Sequence, residues 1–372
     1  MIPKIVFTYW EGDQLSVLHY LTIYSLHKYN PELDIFIYTD HSPKNILREW
    51  NTHEHSIDIQ KKIPLSKLVE VNPNKIFLRP INFQEEYQFD NNISIIFKAD
   101  FTRIAKLYEH GGIWFDMDIL FIKPIPDFFF KENIEAFIFN YSEVIPTGFL
   151  SNIPKSKYLE NLYKGSLEII KNKNLNNYQK IGPIIWIEEY IKLNKKEKKE
   201  IKTLDNNLIY PFLWNELDKL FNKSNAIIPE NTFGIHWFNG APITKEYINQ
   251  LDINNINPDK SLFDNLIHKI KGNDSLFDKL IDEIKGNDNI IQDVKIISIK
   301  FLNASNLEQI QDEFYNKIIN INNNIIVEFI IPAKLLNTKV YTFYKCWKNG
   351  YCLNNSKINI PKNIVKVILK KI

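Results

Sequence analysis

Two aspartates one residue apart, Asp116 and Asp118, lie within the otherwise apolar run GGIWFDMDILF of residues 111 to 121. An isolated carboxylate is costly to bury and two neighbouring ones repel, so this pair calls for a counter-charge. Carboxylate oxygens suit Mg²⁺ or Mn²⁺, an ion that takes one or two protein carboxylates and completes its shell with water and substrate phosphates. Alternate residues of an extended segment point the same way, so both aspartates can address one ion at a strand end. Upstream, Asp100 and Arg103 stand three apart, a spacing that puts them on one helix face. Arginine is rare here, present only as Arg48, Arg79 and Arg103. Its planar fork of donors, which lysine cannot imitate, makes Arg103 notable in a lysine-rich chain.

The elements that must carry these groups follow from periodicity. IPKIVFTYW at the start reads as a buried strand that ends at the turn Glu11-Gly12-Asp13. Residues 15 to 29 carry Leu18, Leu21, Thr22, Ser25 and Leu26 at helical spacing and stop at Asn30-Pro31. DIFIYTD, 34 to 40, is a second strand. Strand, helix, strand at this spacing is a βαβ unit, which predicts a parallel sheet with ligands at the carboxyl ends of its strands. Residues 94 to 110 predict a helix, with Phe97, Phe101, Ile104 and Tyr108 as its stripe and Gly111 as its left-handed cap. Gly111-Gly112 hands over to the strand IWF, at whose end the two aspartates fall. Further strands are expected at 134 to 140 and 225 to 228, and helices at 156 to 171 and 183 to 193.

KADFTRIAKLYEHGGIWFDMDILF closely resembles the central motif of DXD-containing glycosyltransferases of the GT-A fold. The group is the one with a sugar-binding region that includes initiating α-mannosyltransferases, glycolipid α-galactosyltransferases and, more remotely, the glucosyltransferase domains of clostridial toxins. IPKIVFTYW resembles that group's first strand, and the resemblance runs over about residues 2 to 245. It implies an α/β fold, a Rossmann-like, mostly parallel sheet flanked by helices. It also implies a retaining transfer of a hexose from a nucleotide-diphosphate sugar, UDP-hexose ahead of GDP-mannose, to a glycan, lipid or protein acceptor. By that resemblance Asp118 ligates the divalent ion, Asp116 contacts the ribose and the metal shell, and Asp100 and Arg103 hold donor-sugar hydroxyls. Trp10 stacks on the nucleobase, with Tyr9 a lesser candidate. His236 in FGIHWFNG completes the metal shell, with Glu230 as a substitute, and Trp237 and Asn239 line the diphosphate or sugar side. An imidazole ligand favours Mn²⁺ over Mg²⁺. Gly182-Pro183 resembles a pair that introduces a helix near the donor, and TGFL, 147 to 150, is expected to border the acceptor.

Two other classes compete. A haloacid-dehalogenase-type phosphatase also carries Asp-x-Asp at a strand end, but on its first strand and with Thr or Val where Leu120 stands here. A non-catalytic glycan-binding protein has no need of an intact Asp100, Arg103, Asp116 and Asp118 set.

The chain has 372 residues, and its 44% hydrophobic and 13% aromatic content supports a core larger than one average domain needs. With 46 basic and 44 acidic residues, no global field favours nucleic acid or an anionic membrane. Cys346 and Cys352 have no metal-type spacing, which fits a reducing, cytoplasmic setting. The N-terminus lacks the features of a signal peptide, and no apolar run reaches the roughly 18 residues of a membrane span, so membrane contact is expected to be peripheral at most. Past residue 245 the pattern changes. SLFDNLIHKIKGND, 261 to 274, is repeated at once as SLFDKLIDEIKGND, 275 to 288. The expected organisation is a transferase domain over 1–245, a linker with two short amphipathic helices over 246–290, and a small α+β domain over 291–372. In that last part KIISIKF, IIVEFII, KVYTFYK and VKVILKK read as strands and 305 to 319 as a helix.

Overall fold

The computed structural model describes residues 1–40, 63–90, 93–140, 144–173, 175, 177, 179–251, 253 and 255–272, and the backbone of 295–300, 325–331 and 364–371. The chain divides into two compact units, Met1–Phe277 and Asp278–Ile372.

The first unit is built on seven strands: β1 (Ile5–Glu11), β2 (Asp34–Asp40), β3 (Ile76–Pro80), β4 (Gly112–Phe115), β6 (Ala136–Phe139), β7 (Phe149–Asn152) and β8 (Ile201–Leu204). The short β5 (Ile119–Phe121) pairs elsewhere, with β9 (Gly234–His236). The sheet order is β8-β6-β7-β4-β1-β2-β3. All neighbours are parallel except β7, which runs antiparallel to both β4 and β6. This is the mostly parallel, helix-flanked sheet expected from the resemblance. Because β1 is covered on both sides, Val6, Phe7, Thr8 and Tyr9 are all buried.

Helix α1 (Val17–Tyr29) follows β1, and α2 (Ile95–His110) precedes β4. The Ser94 hydroxyl accepts from Ile96 N to cap the start of α2, and Phe97, Phe101 and Ile104 bury its stripe. Gly111 at φ 65° and Gly112 at φ 102° make the handover. A Cβ on Gly112 would stand 2.5 Å from the Ile5 carbonyl oxygen, so glycine here lets β4 lie against β1. Helices α3 (Lys157–Lys171) and α4 (Ile185–Lys192) pack behind α2, and α5 (Pro242–Gln250) and α6 (Leu262–Lys271) close the unit. The strand expected at 225–228 is absent: Ile227 is 88% exposed and Pro229 follows, so the segment buries no face. The buried stripe of α6, the first copy of the duplicated segment, packs Phe263 onto Phe221 and Tyr247.

The described part of the second unit is three parallel strands, β10 (Lys295–Lys300), β11 (Ile325–Ile331) and β12 (Ile364–Lys371). The helix expected at 305–319, the strand KVYTFYK and the second copy of the duplication lie outside the described residues. Among the described residues no helix is long and apolar enough to cross a membrane.

Candidate active site

Strands β1, β2 and β4 run parallel and end together, which brings Trp10 and Glu11, Asp40 and Asp116 to one rim of the sheet. This is where ligands bind in open parallel sheets. Asp116 follows the last residue of β4, and Met117 and Asp118 form a turn into β5. The aspartates therefore converge through a tight turn, where simple alternation along an extended strand was expected.

Arg103 organises the near side. Its Nη1 donates to Asp100 Oδ1 and its Nη2 to Asp116 Oδ1, both at 2.8 Å. Trp114 Nε1 donates to the same Asp116 oxygen at 2.8 Å, and the guanidinium lies 5.0 Å from the Trp114 ring centre. Burial opposes the Arg103 charge, but Asp116 and Asp100 outweigh it and hold its pKa up. Burial lifts the Asp100 carboxyl to about 6, against the pull of Arg103 and with Asp116 adding to the rise. Removing one partner of so buried an ion pair costs about 3–5 kcal/mol.

The far side is joined by β9, which pairs antiparallel with β5 so that His236 faces Ile119 in register. The ladder continues into the loop, where Trp237 N donates to Asp118 O and Asn239 N to Asp118 Oδ2, each at 2.9 Å. Phe238, in the left-handed region at φ 48°, makes the bend that presents the Asn239 amide. His236 Nε2 lies 3.2 Å from Asp118 Oδ1. Burial raises the Asp118 carboxyl above its ordinary value, with His236 opposing that shift and Asp116 reinforcing it.

Asp116, Asp118 and His236 each offer one ligand atom within 4.8 Å of the others. Two carboxylate oxygens and an imidazole nitrogen are a fitting donor set for a divalent ion. The backbone makes room for it: a Cβ on Gly148 would stand 2.9 Å from both His236 Nε2 and the Tyr210 hydroxyl. The Gly148 carbonyl also accepts from Asp116 N at 2.7 Å, so TGFL borders this cluster. Gly182 abuts the other carboxylate, since its Cβ would meet Asp100 Oδ2 at 2.8 Å.

The remaining sequence candidates fall as follows. Trp10 is half-buried at the end of β1, with Nε1 donating to Gln14 O at 3.0 Å. Tyr9 points into the core against Phe83. Trp237 is fully buried, and Asn239 addresses Asp118 through its backbone. Glu230 is exposed and outside the three-ligand cluster. Sequence reasoning missed Trp114, Tyr210 and His19, and it gave no partners to Thr22 and Ser25, which it placed on the stripe of α1. Strand alternation could have found Trp114, two residues before Asp116 on the same face, whereas nothing local marks Tyr210.

Residues 16–137, about a third of the chain, match the family described as "Glycosyltransferase sugar-binding region containing DXD motif". That span includes Asp100, Arg103, Asp116 and Asp118 and leaves out Trp10 and His236. No curated protein matches the chain. Among solved structures it is similar to the glycosyltransferase GlyE of Streptococcus pneumoniae TIGR4, at 14% identity over 88% of this chain and 74% of that one, TM-score 0.42. It is also similar to the PaToxG glycosyltransferase, at 15% identity over 54% and 73%, TM-score 0.37. A third is the galactosyltransferase LgtC in complex with donor and acceptor sugar analogs, at 10% identity over 74% and 99%, TM-score 0.35. The matched third of this chain is thus similar to the DXD-containing sugar-binding region of glycosyltransferases.

Proposed function

We propose that the chain is a divalent-metal-dependent, retaining hexosyltransferase that takes its sugar from a nucleotide diphosphate, UDP-hexose ahead of GDP-mannose. The observation that carries this reading is the meeting of Asp116, Asp118 and His236 within 4.8 Å, with the Arg103–Asp100 pair attached to Asp116. The transferase domain, expected over 1–245, is extended here through α6, which packs on Phe221 and Tyr247; the rest of 246–290 is kept as linker and 291–372 as a separate α+β domain.

Asp118 and His236 would hold the ion, Mn²⁺ by the imidazole's preference, with Asp116 sharing it and reaching the ribose. An ion held there would supply positive charge to offset that of a departing diphosphate. Arg103 fixes the Asp116 carboxylate and, with Asp100, presents a donor and an acceptor to the hexose hydroxyls. Trp10, at the rim of β1, offers an aromatic face to the base, which uracil and guanine can both use. Trp237 and Asn239 close the loop over Asp118. Retention then proceeds by same-face attack, the acceptor's proton passing to the departing phosphate while the protein positions both partners. A trapped glycosyl-enzyme adduct would refute that step. The acceptor is a glycan, glycolipid or glycoprotein. The phosphatase alternative is disfavoured because the Asp-x-Asp pair follows the central strand β4 and Leu120 replaces the required Thr or Val.

The test is a thermal-shift titration with UDP and GDP, with and without Mn²⁺, followed by a screen of nucleotide sugars for Mn²⁺-dependent hydrolysis. The expected result is stabilisation by one nucleotide only when Mn²⁺ is present, by about 2.7 kcal/mol at a hundredfold excess over Kd. Asp118→Ala abolishes it. Indifference to both nucleotides would refute the donor-site reading.

A further inference from the structure

The base end and the metal end of this site are joined by a buried imidazole to which no step above gives a role. His19, on the first turn of α1, is 2% exposed. Its ring centre stands 4.6 Å from that of Trp10 on one side and 5.2 Å from that of Trp237 on the other. Its Nδ1 lies 2.7 Å from the Ser16 hydroxyl, which also accepts from His19 N and caps the helix. The imidazole is thus fixed in rotation, and burial lowers its pKa to about 3, so it stays neutral at working pH.

The same helix grips the metal turn from below. One turn after His19, Thr22 Oγ1 donates to the Met117 carbonyl at 2.8 Å, between the two aspartates. One turn later Ser25 Oγ accepts from Phe121 N at 3.1 Å, in the strand the turn leads into. Trp237 is in turn bonded by its backbone to Asp118 O and by its carbonyl to Thr244. A helix normally buries apolar side chains on its core face. Here His19, Thr22 and Ser25, three apart and all buried, form a polar stripe directed at Trp10, Trp237, Met117 and Phe121.

We propose that His19 is a positioning residue of the donor site, a wedge packed between the Trp10 indole and Trp237 that ties base-stacking geometry to the metal turn. This rests on the donor-site reading above. An aromatic pair contributes about 0.5–1.5 kcal/mol beyond its buried area, so loss of the wedge is worth up to about tenfold in binding at each end.

The experiment compares wild type, His19→Leu and His19→Phe by calorimetry with two probes that each touch one end. The probes are the nucleoside of whichever nucleotide the wild type binds, without phosphates, and Mn²⁺ alone. Leucine fills the gap without a planar face, while phenylalanine restores one. The expected result is a five- to tenfold loss of both affinities in His19→Leu and recovery to within about threefold in His19→Phe. Unchanged affinities for both probes in a less stable His19→Leu would make the residue structural only and overturn the proposal. A loss confined to one probe would likewise overturn the tie. If His19→Leu does not fold, Thr22→Val carries the test, since removal of its bond to Met117 must weaken Mn²⁺ and nucleoside together. A wild type that shows no Mn²⁺-dependent stabilisation by either nucleotide would overturn the donor-site reading itself, an outcome distinct from wild-type binding that survives in the variants.

Discussion

At the scale of single residues, the site holds one acid whose ionisation has opposite consequences for folding and for binding. The Asp100 carboxyl sits at about 6 because burial outweighs Arg103, so the folded protein binds this proton more tightly than the unfolded chain does. Its contribution to stability therefore improves as pH falls from 7 through 6 towards the ordinary value of 3.8. Donor binding runs the other way, because a protonated Asp100 no longer accepts two sugar hydroxyls or balances Arg103. Donor KM for hydrolysis should rise several-fold between pH 7 and 5, while the melting temperature of the wild type gains relative to Asp100→Asn over the same range. Parallel trends would show that Asp100 does not hold the sugar. Gly148 carries a second prediction. Alanine there places a methyl group 2.9 Å from the His236 ring and the Tyr210 hydroxyl, both of them packed and unable to swing away. Gly148→Ala should cost about 1–3 kcal/mol from overpacking and raise the Mn²⁺ concentration for half-maximal hydrolysis about tenfold. These contacts were only partly legible in the sequence. Asp116, Asp118 and the Asp100–Arg103 pair announce themselves by spacing, whereas the approach of Gly148 to His236 depends on a close contact between segments far apart in the chain.

At the scale of elements, periodicity located β1, α1, β2, α2 and β4 because each has a buried face that its own residues declare. It could not show that β7 runs antiparallel between β4 and β6, since strand direction depends on connections and not on side-chain pattern. Nor could it foresee β9, three residues long, whose pairing with β5 brings His236 to Asp118. Helix α1 was recognised by a stripe that already included Thr22 and Ser25, yet nothing local shows that their hydroxyls bond to Met117 and Phe121. The duplicated segment gives the clearest test of an element. Ser261, Leu262, Phe263, Asp264, Leu266, Ile267 and Ile270 are buried in α6, and each has an identical residue fourteen places on. The copies differ at Asn265, His268 and Lys269, the first half-buried and the others exposed. Rewriting the first copy as the second, with N265K, H268D and K269E together, should leave packing intact. The cost is about 1 kcal/mol, from acids replacing His268 and Lys269 in the last turn, where the helix dipole favours cations. Leu266→Ala in the same helix should cost about 2–5 kcal/mol. Denaturant melts of the two variants separate these values, and a triple variant as damaging as Leu266→Ala would mean that the surface of α6 bears contacts its burial does not reveal.

At the scale of the whole molecule, every residue assigned to the donor site lies in the unit Met1–Phe277, whose core is closed by α6. The second unit, Asp278–Ile372, has its own parallel sheet and supplies none of the assigned groups. Separate compact units predict independent folding. A chain ended at residue 277 should therefore melt cooperatively, within a few degrees of the first transition of the full chain. It should also keep Mn²⁺-dependent nucleotide binding and donor hydrolysis to within about twofold, since Asp116, Asp118, His236, Asp100 and Arg103 are all retained. Transfer to an acceptor is the quantity free to change. If hydrolysis survives truncation while transfer falls by an order of magnitude or more, the second unit serves the acceptor, because a step common to both reactions would have slowed both. If transfer also survives, the second unit has no part in the reaction, and a role in holding copies of the chain together follows only if the truncated form sediments as a smaller particle. Loss of hydrolysis from a folded 1–277 chain would contradict the division itself and require donor contacts from beyond residue 277.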